Sequence, residues 1–220
     1  MKPISIILFI SVFLFSCDTD PQDGITDDFS YIFSDIYTFH NTGSIHLTDD
    51  RPPATGTFTD YFDDGDVRGE LTLKDGVILS GSILHDNREA WIEFATDDEL
   101  RTITTYLEDG TLVRKVVDNL STDRLITSKE WYYDGTPKSE FSETVIRSWY
   151  PNGIVKEEAH FKDRMLHGKV AKWHESGQLA GETQYVDNEI HGSYIEWDEA
   201  GNIITEKKYE MGKLVYERDI

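Results

Sequence analysis

The chain carries 7 histidines, a single cysteine and 42 acidic residues among its 220, so metal binding and acid–base catalysis are the first chemistries to weigh. His167 and His191 each precede a glycine and lie 24 residues apart. If they hold equivalent places on strands two apart, roughly 10 Å separates them, too far for one zinc ion with ligand bonds of about 2 Å. His160 and His174 share no motif with a cysteine or carboxylate cluster. The acidic run "DDGD" at 63–66 has the density of a calcium loop but neither its D-x-[DN]-x-[DN]-G spacing nor its distal Glu. No Ser-His-Asp order, glycine-rich phosphate loop or catalytic carboxylate pair stands out, so the expectation is a non-enzymatic protein with no metal and no cofactor.

Cys17 is the residue with the clearest chemical reading. Residues 4–15, "ISIILFISVFLF", follow Lys2 and are too few to cross a bilayer core of about 30 Å at roughly 1.5 Å per residue. They read as the apolar region of a secretory signal peptide over 1–17. The closing "LFSC" resembles the lipobox of bacterial lipoproteins, which implies cleavage before Cys17 and lipidation of its thiol. As the only cysteine, it has no disulfide partner in the chain. Residues 18–28, "DTDPQDGITDD", form an acidic tether. The net charge of −21 argues against a nucleic-acid partner and against direct adhesion to anionic lipid. Membrane attachment therefore falls to the lipid anchor, which needs two or more acyl chains to hold firmly.

Beyond the tether the sequence repeats. Trp149, Trp173 and Trp197 recur at 24-residue intervals, as do Gly153, Gly177 and Gly201, then Val155, Leu179 and Ile203, and then Phe161, Tyr185 and Tyr209. Diverged copies begin at Tyr61, Tyr106 and Trp131, with turn glycines Gly65, Gly110 and Gly135, making six copies. Asp-Gly or Asn-Gly pairs close four of them, which predicts type I′ hairpin turns. The flanking segments alternate polar with apolar residues, so each copy reads as a hairpin and the array as an extended antiparallel sheet. The fold expected is mainly β, with the array over 56–220.

Two lines of side chains follow from that register. An aromatic ladder of Tyr61, Tyr106, Trp131, Trp149, Trp173 and Trp197 is expected to be a shielded apolar seam built from cross-strand aromatic contacts; exposed, it would instead be a platform for stacking sugars. Glu70, Glu140, Glu158, Glu182 and Glu206 each lie nine residues after a ladder aromatic and form an acidic line on one face, either solvated or available to cations or a basic partner. Ahead of the array, residues 29–55 read as a capping segment. Phe29, Ile32, Phe33 and Ile36 within "DDFSYIFSDIYTFH" have helical spacing, and a short helix there would cover an open sheet edge.

The pattern of aromatic, three residues, Gly, aliphatic, Glu, aromatic and a His-Gly close resembles the bacterial variant of the MORN (membrane occupation and recognition nexus) repeat, most strongly over 149–214. Lys115 departs from it where other copies carry Glu. Lipoproteins of this kind resemble the YwqK-like antitoxin family of toxin–antitoxin systems. The resemblance implies hairpins that present a binding surface, with no catalytic residues to carry over. The function expected is a lipid-anchored, exported, protein-binding scaffold of the bacterial cell envelope. The alternatives are an antitoxin or immunity-type protein that neutralises a toxin at the envelope, and a glycan-binding module that uses exposed tryptophans.

Overall fold

The computed structural model describes residues 37–39, 45–47 and 55–218. Cys17, the tether and the helical spacing of Phe29 to Ile36 lie outside the described residues. Where the stretch expected to be helical continues, at Tyr37–Phe39 (β1), the chain is a strand paired antiparallel with Ile45–Leu47 (β2). The aromatic and β-branched run Tyr37-Thr38-Phe39 suits a pleated pair better than a helix end.

The remaining described residues form one open antiparallel sheet of 15 strands in which every neighbour in space is the neighbour in sequence. The strands are Gly56–Tyr61 (β3), Val67–Lys74 (β4), Val77–Leu84 (β5), Ala90–Asp97 (β6), Leu100–Tyr106 (β7), Leu112–Asn119 (β8), Arg124–Trp131 (β9), Pro137–Ser142 (β10), Val145–Trp149 (β11), Val155–Lys162 (β12), Met165–Trp173 (β13), Leu179–Val186 (β14), Glu189–Trp197 (β15), Ile203–Glu210 (β16) and Lys213–Arg218 (β17). This is the extended sheet of hairpin repeats that the 24-residue period implies.

The turns differ from expectation in type and in number. After Trp149, the Tyr150 N–H donates to the Ile154 carbonyl and the Gly153 N–H to the Tyr150 carbonyl, which leaves the three-residue loop Pro151-Asn152-Gly153. Gly153 is left-handed at φ 82° while Asn152 is not. The loop is a type I turn closed by a left-handed residue and a bulge, with Pro151 at the position that a type I turn favours. The Asp-Gly and Asn-Gly pairs therefore do not make type I′ turns. Their polar residue accepts instead from the backbone two residues on, as Asp64, Asp109, Asp134 and Asn152 do from Asp66, Thr111, Thr136 and Ile154. The Thr111 hydroxyl and then its N–H hold the Asp109 carboxyl below its ordinary pKa, and the Thr136 N–H and then its hydroxyl do the same for Asp134.

Among the described residues the same backbone pattern occurs seven times, one more than the six copies expected. Its additional copy runs from Leu84, with His85 bonded to Glu89 and Arg88 in the glycine's place at φ 74°. Two-residue turns with both central residues left-handed lie at the opposite ends of the strands, at Asp75-Gly76, Asp163-Arg164, Asp187-Asn188 and Met211-Gly212.

Each face of the sheet has its own row of directly opposed residues. One row runs Phe94, Ile103, Val116, Ser128, Phe141, Ile146, Ala159, Val170, Thr183, Tyr194. The apolar core lies along it and is densest in β4–β8. Leu71, Leu73, Ile78 and Ile83 are fully buried, and Ile92, Phe94 and Val113 are nearly so. Arg101, itself buried, pairs through two hydrogen bonds with Asp118. In β5, Gly81 at φ 137° lies so close to β4 that a Cβ would sit 2.0 Å from the Glu70 carbonyl oxygen.

Candidate functional site

The face opposite the apolar row carries the residues singled out from the sequence. Lys129, Glu140, Arg147, Glu158, Ala171, Glu182, Ile195, Glu206 and Arg218 stand directly opposite one another, strand after strand. Four members of the acidic line thus share one row, and bases are interleaved with them. Lys129 meets Glu140 at 3.0 Å, Arg147 Nε donates to Glu158 at 2.6 Å, and Arg218 meets Glu206 at 3.1 Å. Glu182, which has Ala171 and Ile195 on its two sides, is reached diagonally by Lys169 at 2.6 Å. Glu70 is exposed and stands opposite Thr59 on β3. The acidic line is therefore a charge-balanced ladder from β9 to β17. Those bases carry no repeat period, so the 24-residue comparison passed over them.

Glu158 is the most elaborated position. Burial alone would raise its pKa, but hydrogen bonds from His160, at 2.8 Å, and from Arg147 overcome that and hold the carboxyl below its usual value. The other histidines also have neighbours. His167 Nδ1 lies 3.1 Å from Asp187, and His191 Nδ1 accepts from the Met211 N–H. Among the described residues no cluster of three or more metal-ligating side chains occurs.

The ladder aromatics share this face, since Trp149, Trp173 and Trp197 alternate with Arg147, Ala171 and Ile195 along their strands. Their cover is uneven along the ladder. Tyr61 is 56% exposed, and Tyr106, Trp131, Trp149, Trp173 and Trp197 are half-buried. Tyr106 donates to Glu93, and this bond pushes its phenol pKa up.

In the strict copies the ladder is fixed by the residue that follows the aromatic, a position the sequence comparison overlooked. The Tyr132 hydroxyl donates to the Trp149 carbonyl, the Tyr150 hydroxyl to the Trp173 carbonyl and His174 Nε2 to the Trp197 carbonyl, each at 2.9 Å. His85 Nε2 does the same for Tyr106 at 3.0 Å. Four of the turns are thereby tied to the next one, about one repeat away. The recurring Tyr or His directly after the aromatic was the available signal. Asn152 adds a second tie, from its Nδ2 to the Glu175 carbonyl. The turn glycines Gly65, Gly110, Gly135, Gly153, Gly177 and Gly201 all have φ between 82° and 89°.

Between β11 and β13 the face opens into a concavity of about 440 Å3 lined by Arg147, Trp149, Ile154, Val155, Glu158, Trp173 and Gly177. Residues 143–163 and 166–187 match the MORN repeat variant. The match spans β11 to β14, which contain the concavity. MORN repeats generally mediate protein or membrane binding, and a scaffold role is compatible with that. No curated protein matches the chain. Among solved structures, the chain is similar to part of a mutant Photorhabdus luminescens Tc holotoxin pore, at 10% identity and a TM-score of 0.24. That similarity covers 82% of this chain and 12% of the other, so the chain spans about an eighth of that protein's length.

Proposed function

We propose that the chain is a lipid-anchored, exported, non-enzymatic scaffold of the bacterial cell envelope, and that it binds a protein partner on the ladder face of its MORN repeats. The observation that carries this reading is the partly covered tryptophan ladder beside a charge row already neutralised within the chain. Large rings are held in place by turn-to-turn hydrogen bonds and remain only partly covered, and aromatic residues so placed are the usual anchors of protein interfaces. Ile204, Met211, Leu214, Val215 and Tyr216 add exposed apolar surface on and around β16 and β17. Because the row's charges are paired, a partner need not bring a strongly basic surface.

A photo-crosslinking residue at Ile204, which shares the ladder face, is expected to trap a discrete adduct in cells. The same residue at Ala95, on that face among the diverged copies, is expected to trap none. Equal adducts at both sites, or none at either, would contradict the proposal. The anchor rests on "LFSC", and Cys17→Ser is expected to leave an unprocessed precursor with no fatty-acid label. Labelling that persists in that variant would remove the anchor.

A further inference from the structure

The concavity between β11 and β13 has chemistry of its own, distinct from a flat protein-docking face. We propose that it is a subsite for one neutral hexopyranose unit of a glycan, gripped between Trp149 and Trp173. Its volume of about 440 Å3 lies in the range of small-molecule sites. The two tryptophans occupy equivalent positions two strands apart, hence roughly 10 Å. Carbon contacts of roughly 4 Å on each side leave about the thickness of one saturated ring. Ile154 and Val155 complete the lining with aliphatic surface, which suits the C–H faces of a sugar.

The polar groups at the slot decide the class of ligand. Arg147 and Glu158 are paired with each other but remain partly open, at 32% and 20% side-chain exposure. Together they offer N–H donors beside carboxylate acceptors, which matches hydroxyl groups, since each of these both donates and accepts. The arginine's charge is already met by Glu158, and the chain's net charge is −21, so a uronate or a phosphate gains no attraction here while a neutral sugar meets no repulsion. The corresponding row position on β13 is Ala171 rather than arginine. The next pair of rings, Trp173 and Trp197, therefore lacks this guanidinium, and the preceding pair, Trp131 and Trp149, has the ammonium of Lys129 in its place.

The test titrates the purified full-length protein in detergent with maltotriose, cellotriose, chitotriose, trigalacturonate and a proline-rich decapeptide, read by calorimetry and tryptophan fluorescence. Saturable binding of at least one neutral trisaccharide is expected, with quenching and with no binding of trigalacturonate. Trp149→Ala and Trp173→Ala are each expected to weaken that binding about tenfold or more. Arg147→Met, which keeps both rings, should weaken it comparably, and Trp197→Ala should leave it unchanged. Failure of all three neutral sugars to bind, preferential binding of trigalacturonate or the peptide, or sugar binding indifferent to both Trp173→Ala and Arg147→Met would overturn the proposal. The crosslinking outcome at Ile204 is independent of these results.

Discussion

Strands β4–β8 and strands β12–β16 belong to the same sheet and use the same turn, yet they use their side chains differently. In the first group the side chains are consumed by packing. Leu71, Leu73, Ile78 and Ile83 are fully buried, Gly81 lets two backbones approach, and even a guanidinium, Arg101, is buried against Asp118. In the second group the buried side chains reduce to Val170, Ala171, Thr183 and Tyr185, while tryptophans and paired charges face outward. The comparison shows that strict repetition here marks a presented surface. A core tolerates any aliphatic set that fills space, so its period decays. A ladder of rings and turn-to-turn bonds works only if each copy lands in register, so its period is visible in the sequence.

The contrast is sharpest in truncation experiments. Ile83→Ala and Leu71→Ala are expected to cost about 3–5 kcal/mol, whereas Trp173→Ala, removing a larger but half-exposed ring, should cost about 1–2 kcal/mol. Denaturant midpoints decide the matter, and a Trp173 variant as damaging as Ile83→Ala would restore the shielded-seam reading. Gly81→Ala should cost about 2–4 kcal/mol because its Cβ collides with the β4 backbone. Gly177→Val, strained only by its φ of 88° and by valine's branching, should cost about 1–3 kcal/mol. Reversal of that order would contradict the close approach at Gly81.

Much of this was legible from residues alone. The 24-residue spacing of Trp149, Trp173 and Trp197 yields the antiparallel hairpin array, and the nine-residue offset places Glu140, Glu158, Glu182 and Glu206 in one row. The seventh turn was not legible, because Leu84 and Arg88 replace the aromatic and the glycine that define the motif. Its trace was the 45-residue gap between Tyr61 and Tyr106, nearly two repeats long. The turn type was misread because Asp-Gly suits both a type I′ turn and a type I turn with a bulge, and only the backbone bonds at Tyr150 and Gly153 separate them. The bases Lys129, Arg147, Lys169 and Arg218 escaped notice because pairing across strands leaves no trace in the spacing along one strand.

Smaller effects probe the strict half alone. Arg164 is left-handed at φ 66° in a two-residue turn, so Arg164→Gly should stabilise by about 0.5–1 kcal/mol; a lower thermal midpoint would argue against that turn. Glu158 has a carboxyl pKa held below its ordinary value in the fold, so it contributes stability at pH above the usual carboxylate pKa of roughly 4.3 and loses it as pH falls through the folded value. The effect should be under about 1 kcal/mol given its partial exposure. Glu158→Gln should flatten that part of the pH–stability curve, and an unaltered curve would mean that Arg147 and His160 do not stabilise the charged form.

The central claim, a packed core in the diverged copies and a presented face in the strict ones, is met most directly by residue-resolved hydrogen exchange on the full-length protein. The slowest amides are expected in β5, β6 and β7, around Ile83, Ile92 and Ile103, with β15 and β16 exchanging faster by about an order of magnitude or more. Protection in β15 and β16 equal to or greater than that in β5 to β7 would contradict the division.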